Sequence, residues 1–255
     1  MNNLPTINPK EETLRIQSFI KDVMSTHRKK NVVIGVSGGI DSATSLYLLK
    51  NSIPLGNIKV INMPYFDNSL SDVSEIVESI HLPNKQIATI SIKPIVDVLS
   101  KTLGVLDTDI IRKGNIMTRV RMIILYDLAK KLNALVCGTE NRSEYFLGYF
   151  TRYGDEASDI EPLRQLYKTQ VYELAKYLRV PQSIMGKQPS ANLWQNQTDE
   201  DELGFSYKEA DPVLYLYFDK KMSVEAVKAQ GFKNVKKIID FAEKNSYKHH
   251  VPYTL

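Results

Sequence analysis

Apolar residues recur at helical spacing over residues 10–27, where Leu14, Ile16, Phe19, Ile20 and Val23 form one stripe that predicts an amphipathic helix. Short β-branched runs follow at 31–36, 57–62, 86–92 and 134–137. Between them lie helical patterns at 42–51, 69–81, 94–102 and about 115–132. Strands that alternate with helices of this length require right-handed crossovers, and so predict a mostly parallel sheet covered on both faces. The chain reads as one doubly wound α/β domain with an N-terminal helix and a helical C-terminal part. The segment 115–132 is apolar on more than one side, through Ile116, Met117, Val120, Met122, Ile123, Ile124, Leu125, Leu128 and Leu132. A surface helix needs one stripe, so the sheet covers the excess or a second subunit does.

Beyond Cys137 the pattern loses its simple periodicity. Residues 138–160 are rich in glycine, hydroxyls and acids, and a helical run follows at 167–180. A long polar stretch at 185–204 has the character of a functional loop. Two short helices broken at Gly231 close the chain.

Composition narrows the class. A net charge of +4 over 255 residues suits a small anionic substrate and argues against an extended nucleic-acid surface. The basic cluster His27–Lys30 reads as a solvated helix C-terminus. The single cysteine, Cys137, permits no intrachain disulfide and reads as a small buried strand residue. The N-terminus lacks the pattern of a signal peptide and no apolar run reaches membrane length, so a cytoplasmic protein is expected.

The candidate chemistry starts at Ser37-Gly38-Gly39-Ile40-Asp41-Ser42, on the step from a strand into a helix. Such a step presents backbone N–H groups to an anion, and glycine permits close approach. No lysine follows these glycines, which excludes a Walker A loop, and their spacing is not that of the dinucleotide fingerprint. The motif resembles the phosphate loop of the ATP pyrophosphatase (PP-loop) superfamily, which holds the pyrophosphate expelled when ATP adenylates a substrate. Asp41 repels phosphate, and its sensible role is to hold Mg²⁺, a hard cation that takes carboxylate and phosphate oxygens.

Within that superfamily, three further stretches resemble the NAD synthetase family in order and spacing: "RKGNIMTRVRM", "GTENRSEYFLGYFTRYGDEASDIEPLRQLYKTQVYELAKYL" and "KQPSANLWQNQTDEDELGFSY". The likeness spans about residues 10–248. It implies a five-stranded sheet of the adenine nucleotide hydrolase type, a single synthetase domain over residues 1–255 with no glutaminase domain, and ammonia as the nitrogen donor. The implied reaction adenylates the carboxylate of deamido-NAD with ATP, and ammonia then displaces AMP to give NAD.

The resemblance also implies roles. Gly35, Val36, Ser37, Gly38, Gly39, Ile40, Asp41 and Ser42 correspond to the ATP loop, with Thr139, Lys168 and Ser190 as further ATP contacts. Asp41 and Glu144 correspond to the Mg²⁺ ligands. Arg119, Arg152, Asp159, Tyr247 and Lys248 correspond to deamido-NAD contacts. Asp41, Ser42, Asp155 and Lys168 are the implied catalytic set. Arg152 stands where the family often has lysine, Ser190 where it commonly has threonine, and Tyr247 where many members have histidine. His249-His250 reads as solvated tail. The family is homodimeric with dinucleotide sites at the interface, and the segments 64–72 and 185–204 correspond to mobile loops. Another PP-loop ligase, a tRNA-modifying enzyme or a non-catalytic ATP sensor would share the loop, but a sensor would not need the remote charged set.

Overall fold

A computed structural model describes residues 4–66, 70–194, 196–250 and 252–254. Four short apolar runs become strands: β1 (Asn31–Gly35), β2 (Ile58–Asn62), β3 (Ile87–Thr89) and β4 (Ala134–Cys137). All pair in parallel, in the order β3-β2-β1-β4. Among the described residues the sheet has four strands and not the implied five. The next line of pairing is a single parallel bridge between Cys137 and Ile160, and Pro162, which has no N–H to donate, follows two residues later. β3 is shorter than the apolar run because its partner runs on into Pro64; Ile90 and Ile92 still donate to the carbonyls of Asn62 and Pro64.

The helices are α1 (Pro9–Thr26), α2 (Ile40–Lys50), α3 (Leu70–Ser79), α4 (Lys93–Thr102), α5 (Ile110–Leu132), α6 (Arg142–Leu147), α7 (Lys168–Leu178), α8 (Gln182–Met185), α9 (Asp199–Leu203), α10 (Tyr207–Leu214), α11 (Val224–Lys228) and α12 (Val235–Asn245). One π turn, Tyr215–Asp219, continues α10. Alternation along β1 assigns the faces: Val32 and Ile34 pack with α1, α2 and α7, whereas Val33 packs with α4 and α5. A separate apolar core binds α6, α10, α11 and α12 into the helical C-terminal part.

Two helix readings change. The buried seam of α1 is Thr13, Ile16, Ile20 and Met24, while Leu14 and Phe19 face outward. Both seams fit a 3.6-residue period; tertiary packing selects one. Helix α5 starts at Ile110, five residues before the apolar pattern, because Asp109 caps it by accepting from the Arg112 N–H at 3.3 Å. The sheet covers Met117, Val120 and Ala129, yet Ile111 and Ile123 remain exposed, as do Val98, Leu103 and Leu106 of the α4–α5 region.

No helix among the described residues is long and apolar enough to cross a membrane. Cys137 is buried in β4, as expected of a strand residue, and burial pushes its thiol well up.

Candidate active site

The strand order reverses direction at β1 and β4, and in open α/β sheets ligands enter the crevice at the carboxyl ends of such strands. A cavity of about 420 Å³ lies there. Gly35–Ser42 line one wall after β1, and Gly138, Thr139 and Glu140 line another after β4.

Gly38 has φ +87°, and a Cβ on it would lie 2.7 Å from the Cβ of Asp72, so the position accepts only glycine without strain. The Ser42 hydroxyl accepts from the Ser37 N–H at 3.3 Å and donates to the Gly39 carbonyl at 3.0 Å. Gly39, the residue before α2, supplies no side-chain cap, so the first amides of that helix remain available to an anion in the cavity.

Two elements, α7 and the start of α6, converge on Asp41 of α2. Lys168, the first residue of α7, places Nζ 2.5 Å from Asp41 Oδ2 and 3.2 Å from Glu144 Oε1. The Asn141 side chain donates to Asp41 Oδ1 at 3.0 Å. Asn141 and Glu144 also form the capping box that starts α6, which fixes both before any ligand arrives. Lys168 is 2 % exposed, and three carboxylates, Asp41, Glu144 and Asp199, hold it charged with a pKa well above its ordinary value against the cost of burial. Burial lifts the Glu144 carboxyl to about 8, with Lys168 opposing the rise and Asp41 and Asp199 adding to it.

Asp211 of α10 sets this arrangement from below. It accepts from the Ser143 hydroxyl at 2.6 Å, from the Thr169 N–H at 2.8 Å and from the Thr169 hydroxyl at 2.7 Å, while Ser143 accepts from the Lys168 N–H. One buried carboxylate therefore ties the first turns of α6 and α7 together. Asp199 is held by the hydroxyls of Tyr207 at 3.0 Å and Tyr149 at 3.3 Å. Beside the Gly35–Ser42 loop, Lys187 pairs with Asp72 and so ties the segment that follows α8 to α3.

The cavity thus gathers Gly35–Ser42, Thr139, Glu144, Asp155, Lys168 and Ser190. Asp155 accepts from the Thr151 N–H at 2.8 Å; burial raises its carboxyl above the usual range, opposed in part by Arg121 and Lys248. Arg119, Arg152, Asp159, Tyr247 and Lys248 do not line the cavity. Arg119 Nε donates to the Arg152 carbonyl at 3.3 Å, and Arg152 lies over the ring of Tyr247 and donates to the His250 carbonyl. Lys248 Nζ donates to the carbonyls of Gly148 and Phe150 at 2.6 and 2.8 Å. Asp159 Oδ2 accepts from the Val136 N–H at 2.7 Å and anchors its loop to β4. His249 is no solvated tail: its ring packs on Tyr145 and Nε2 lies 2.6 Å from the Tyr145 carbonyl oxygen. Of the expected loops, residues 67–69 and 195 lie outside the described residues.

Sequence reading missed Asn141, Asp199, Asp211, Arg121 and Glu140. Asn141 had a visible signal, since Asn-x-x-Glu opens a helix. Asp199 follows Thr198 as a first-turn acid, which normally marks only a helix start. Asp211 lies beside Pro212 within a short helix, and nothing local marks it as a bridge to residues more than forty positions away.

For a hard divalent cation, the donors suit: the carboxyl groups of Asp41 and Glu144, on separate elements, lie around the one ammonium of Lys168, and a bound ion would take the place of the proton that Glu144 otherwise holds. Among the described residues no group of three or more His, Cys, Asp or Glu is placed to hold a metal by itself. That combination fits an ion that arrives on nucleotide phosphates and completes its coordination with protein carboxylates.

A family model described as NAD synthase matches residues 12–252. The NH(3)-dependent NAD(+) synthetase of Pyrococcus furiosus is 45 % identical over 93 % of this chain and 90 % of its own. The solved NMN synthetase of Francisella tularensis is 35 % identical with a TM-score of 0.82, covering 98 % of this chain and 99 % of that one. The NH3-dependent NAD synthetase of Campylobacter jejuni, solved with nitrate, is 28 % identical with a TM-score of 0.80 over 98 % of this chain and 100 % of that one. The chain belongs to the NAD synthase family.

Proposed function

We propose that this chain catalyses the ATP-dependent amidation of deamido-NAD by ammonia, giving NAD, AMP and pyrophosphate. The observation that carries the proposal is the convergence of Asp41, Lys168, Glu144 and Asn141 on the phosphate loop. In the first step a carboxylate oxygen of deamido-NAD attacks the α-phosphorus of ATP and pyrophosphate leaves. Negative charge grows on the leaving group, where the α2 amides, Ser37, Ser42 and Lys168 are preorganised to receive it. Asp41 and Glu144 would hold Mg²⁺, which when bound neutralises phosphate charge. Thr139 and Ser190, which both line the cavity, are assigned to ATP. Asp155 is assigned to the reacting end of the second substrate.

Arg119, Arg152, Asp159, Tyr247 and Lys248 lie outside the cavity of one subunit, so we assign them to the remainder of the dinucleotide at a homodimer interface. The exposed apolar face of α4 and α5 supports that assembly. The loops at 64–72 and 185–204 are assigned to closure over the acyl adenylate, which water would otherwise destroy. We place the enzyme, a single synthetase domain, in the cytoplasm.

The test is NAD formation from deamido-NAD, ATP and Mg²⁺, with ammonium and glutamine offered separately. NAD, AMP and pyrophosphate in equal amounts with ammonium alone support the reading. Nicotinic acid mononucleotide belongs in a parallel arm, since the Francisella relative is named for NMN. A preference for that substrate, or no amidation of either, would overturn the assignment to deamido-NAD.

A further inference from the structure

We propose that Arg121 binds the α-phosphoryl group of ATP and stabilises its charge while the adenylate forms and breaks. The proposal rests on the amidation reaction given above and adds a catalytic residue to it.

Arg121 lies on α5 and lines the cavity. Its Nε donates to the Met63 carbonyl at 3.2 Å, which fixes the plane of the guanidinium. The two Nη groups donate to nothing among the described residues, and neither is sealed from solvent. Arg142 and Arg164 are paired with Asp219 and Glu140, whereas Arg121 has no ion pair with an acid among the described residues. Burial lowers its pKa to about 10, with Asp155 opposing, so it stays a cation at neutral pH. A cation withdrawn from water without a paired acid costs free energy, and a ligand that brings negative charge offsets that cost.

Position selects the anion. Thr118, Arg121 and Leu125 share one face of α5. Thr118 packs on Gly154, where a Cβ would lie 2.6 Å from its Oγ1, and so touches the loop that carries Asp155. Leu125 packs on Gly35, the first residue of the ATP loop, where a Cβ would lie 3.5 Å from its Cδ1. Arg121 thus stands on the wall between the ATP loop and the residue assigned to the reacting end of the second substrate. The α-phosphorus is the atom at which those two ligands join. Met63, which anchors the guanidinium, also packs on Gly35, with Cε 3.1 Å from a Cβ there, and this favours the ATP end of the wall.

The charges fit the chemistry. The attacking carboxylate and the α-phosphoryl group are both anions, and a guanidinium on the nonbridging oxygens weakens their repulsion. A lone pair of the carboxylate oxygen forms the bond to phosphorus. The bond from phosphorus to the pyrophosphate oxygen breaks, and pyrophosphate leaves with the electron pair. In the second step the nitrogen lone pair of ammonia forms the C–N bond. AMP departs with the electrons of the acyl C–O bond, and one proton passes from nitrogen to solvent. Negative charge then grows on the same phosphate, so one residue serves both steps.

The full chain carrying Arg121→Met tests this. ATP–pyrophosphate exchange dependent on deamido-NAD should fall about 100-fold, as when one preorganised donor to a developing anion is lost. A structural role would also lower exchange, so the deciding readout is ATP with sulfur in place of a nonbridging α-oxygen, used as its two separate diastereomers. Sulfur accepts hydrogen bonds weakly. Relative to ATP, at least one diastereomer should be used about tenfold less well by the wild type than by the variant, the worth of one charge-assisted hydrogen bond. The KM for deamido-NAD should stay within about threefold of the wild type. Equal sulfur sensitivity in the two enzymes or undiminished exchange would each overturn the proposal. So would a loss confined to the KM for deamido-NAD, which would put the carboxylate of the second substrate on Arg121 instead. If Arg121→Met does not fold, Arg121→Lys, which keeps the charge but not the fork, should reduce the sulfur sensitivity; unchanged sensitivity overturns the proposal. Deamido-NAD-dependent exchange by the wild type in the same assay keeps this failure distinct from failure of the parent reaction.

Discussion

Replacing Lys168 by Met removes one ammonium from among Asp41, Glu144 and Asp199 while preserving most of the apolar stem. Breaking a buried ion pair from one side costs about 3–5 kcal/mol, since the remaining charges stay buried without compensation. The structure adds a pH signature. Glu144 holds its proton up to about 8 in the folded chain, against 4.5 for the ordinary side chain. Between these values the unfolded chain binds fewer protons, so the contribution of Glu144 to stability declines as pH rises from 4.5 to 8. Without Lys168, ionising Glu144 beside Asp41 becomes harder still, and the decline extends to higher pH. Urea unfolding without nucleotide or Mg²⁺ should therefore show the full loss near pH 9 and a smaller one near pH 6, where Glu144 keeps its proton. Turnover at saturating substrates should fall about 10²–10³-fold, as when one preorganised donor to a developing anion is removed. An equal loss of stability at both pH values, or turnover near that of the wild type, would refute the argument that Lys168 is the shared counter-ion.

Asp211→Asn should lower stability by about 1–3 kcal/mol, because an amide cannot accept all three bonds now made to the carboxylate; urea unfolding measures the loss, and kcat should fall with it through the displaced first turns of α6 and α7. Gly38→Ala should cost about 1–3 kcal/mol from its positive φ and the clash with Asp72, and should raise the KM for ATP; an unaltered ATP dependence would count against the loop as the phosphate site. Ile123→Asp, on the exposed face of α5, should yield monomers by light scattering and lower activity; an unchanged mass would remove that face from the interface. Stripping divalent ions with EDTA should abolish turnover, and Mg²⁺ should restore it.

The sequence pattern carried the sheet and its flanking helices because burial on two faces leaves a periodic record. It carried the glycine turn after β1 because a positive φ at Gly38 and close approach of Asp72 demand glycine. It failed where a helix has two plausible seams, as in α1, and where a cap extends a helix beyond its apolar pattern, as at Asp109. Asp41, Glu144 and Lys168, which the structure brings together at the cavity, were picked out through likeness to a known arrangement. Asp211 stayed hidden. An acid that bridges two helices from a third resembles any surface acid until the chain is folded around it.

Asp41 meets Asn141 across 100 positions of the chain and Lys168 across 127, and Lys168 is in turn seated through Thr169 by Asp211, another 42 positions on. A ribosome delivers these residues in that order. The growing polypeptide displays its glycine turn long before it owns a counter-ion for Asp41, and the clamp that sets the counter-ion emerges later still. The clamp is complete only once α10 has docked, so a chain that stops short of Asp211 owns the glycine turn and the counter-ion without the carboxylate that seats them.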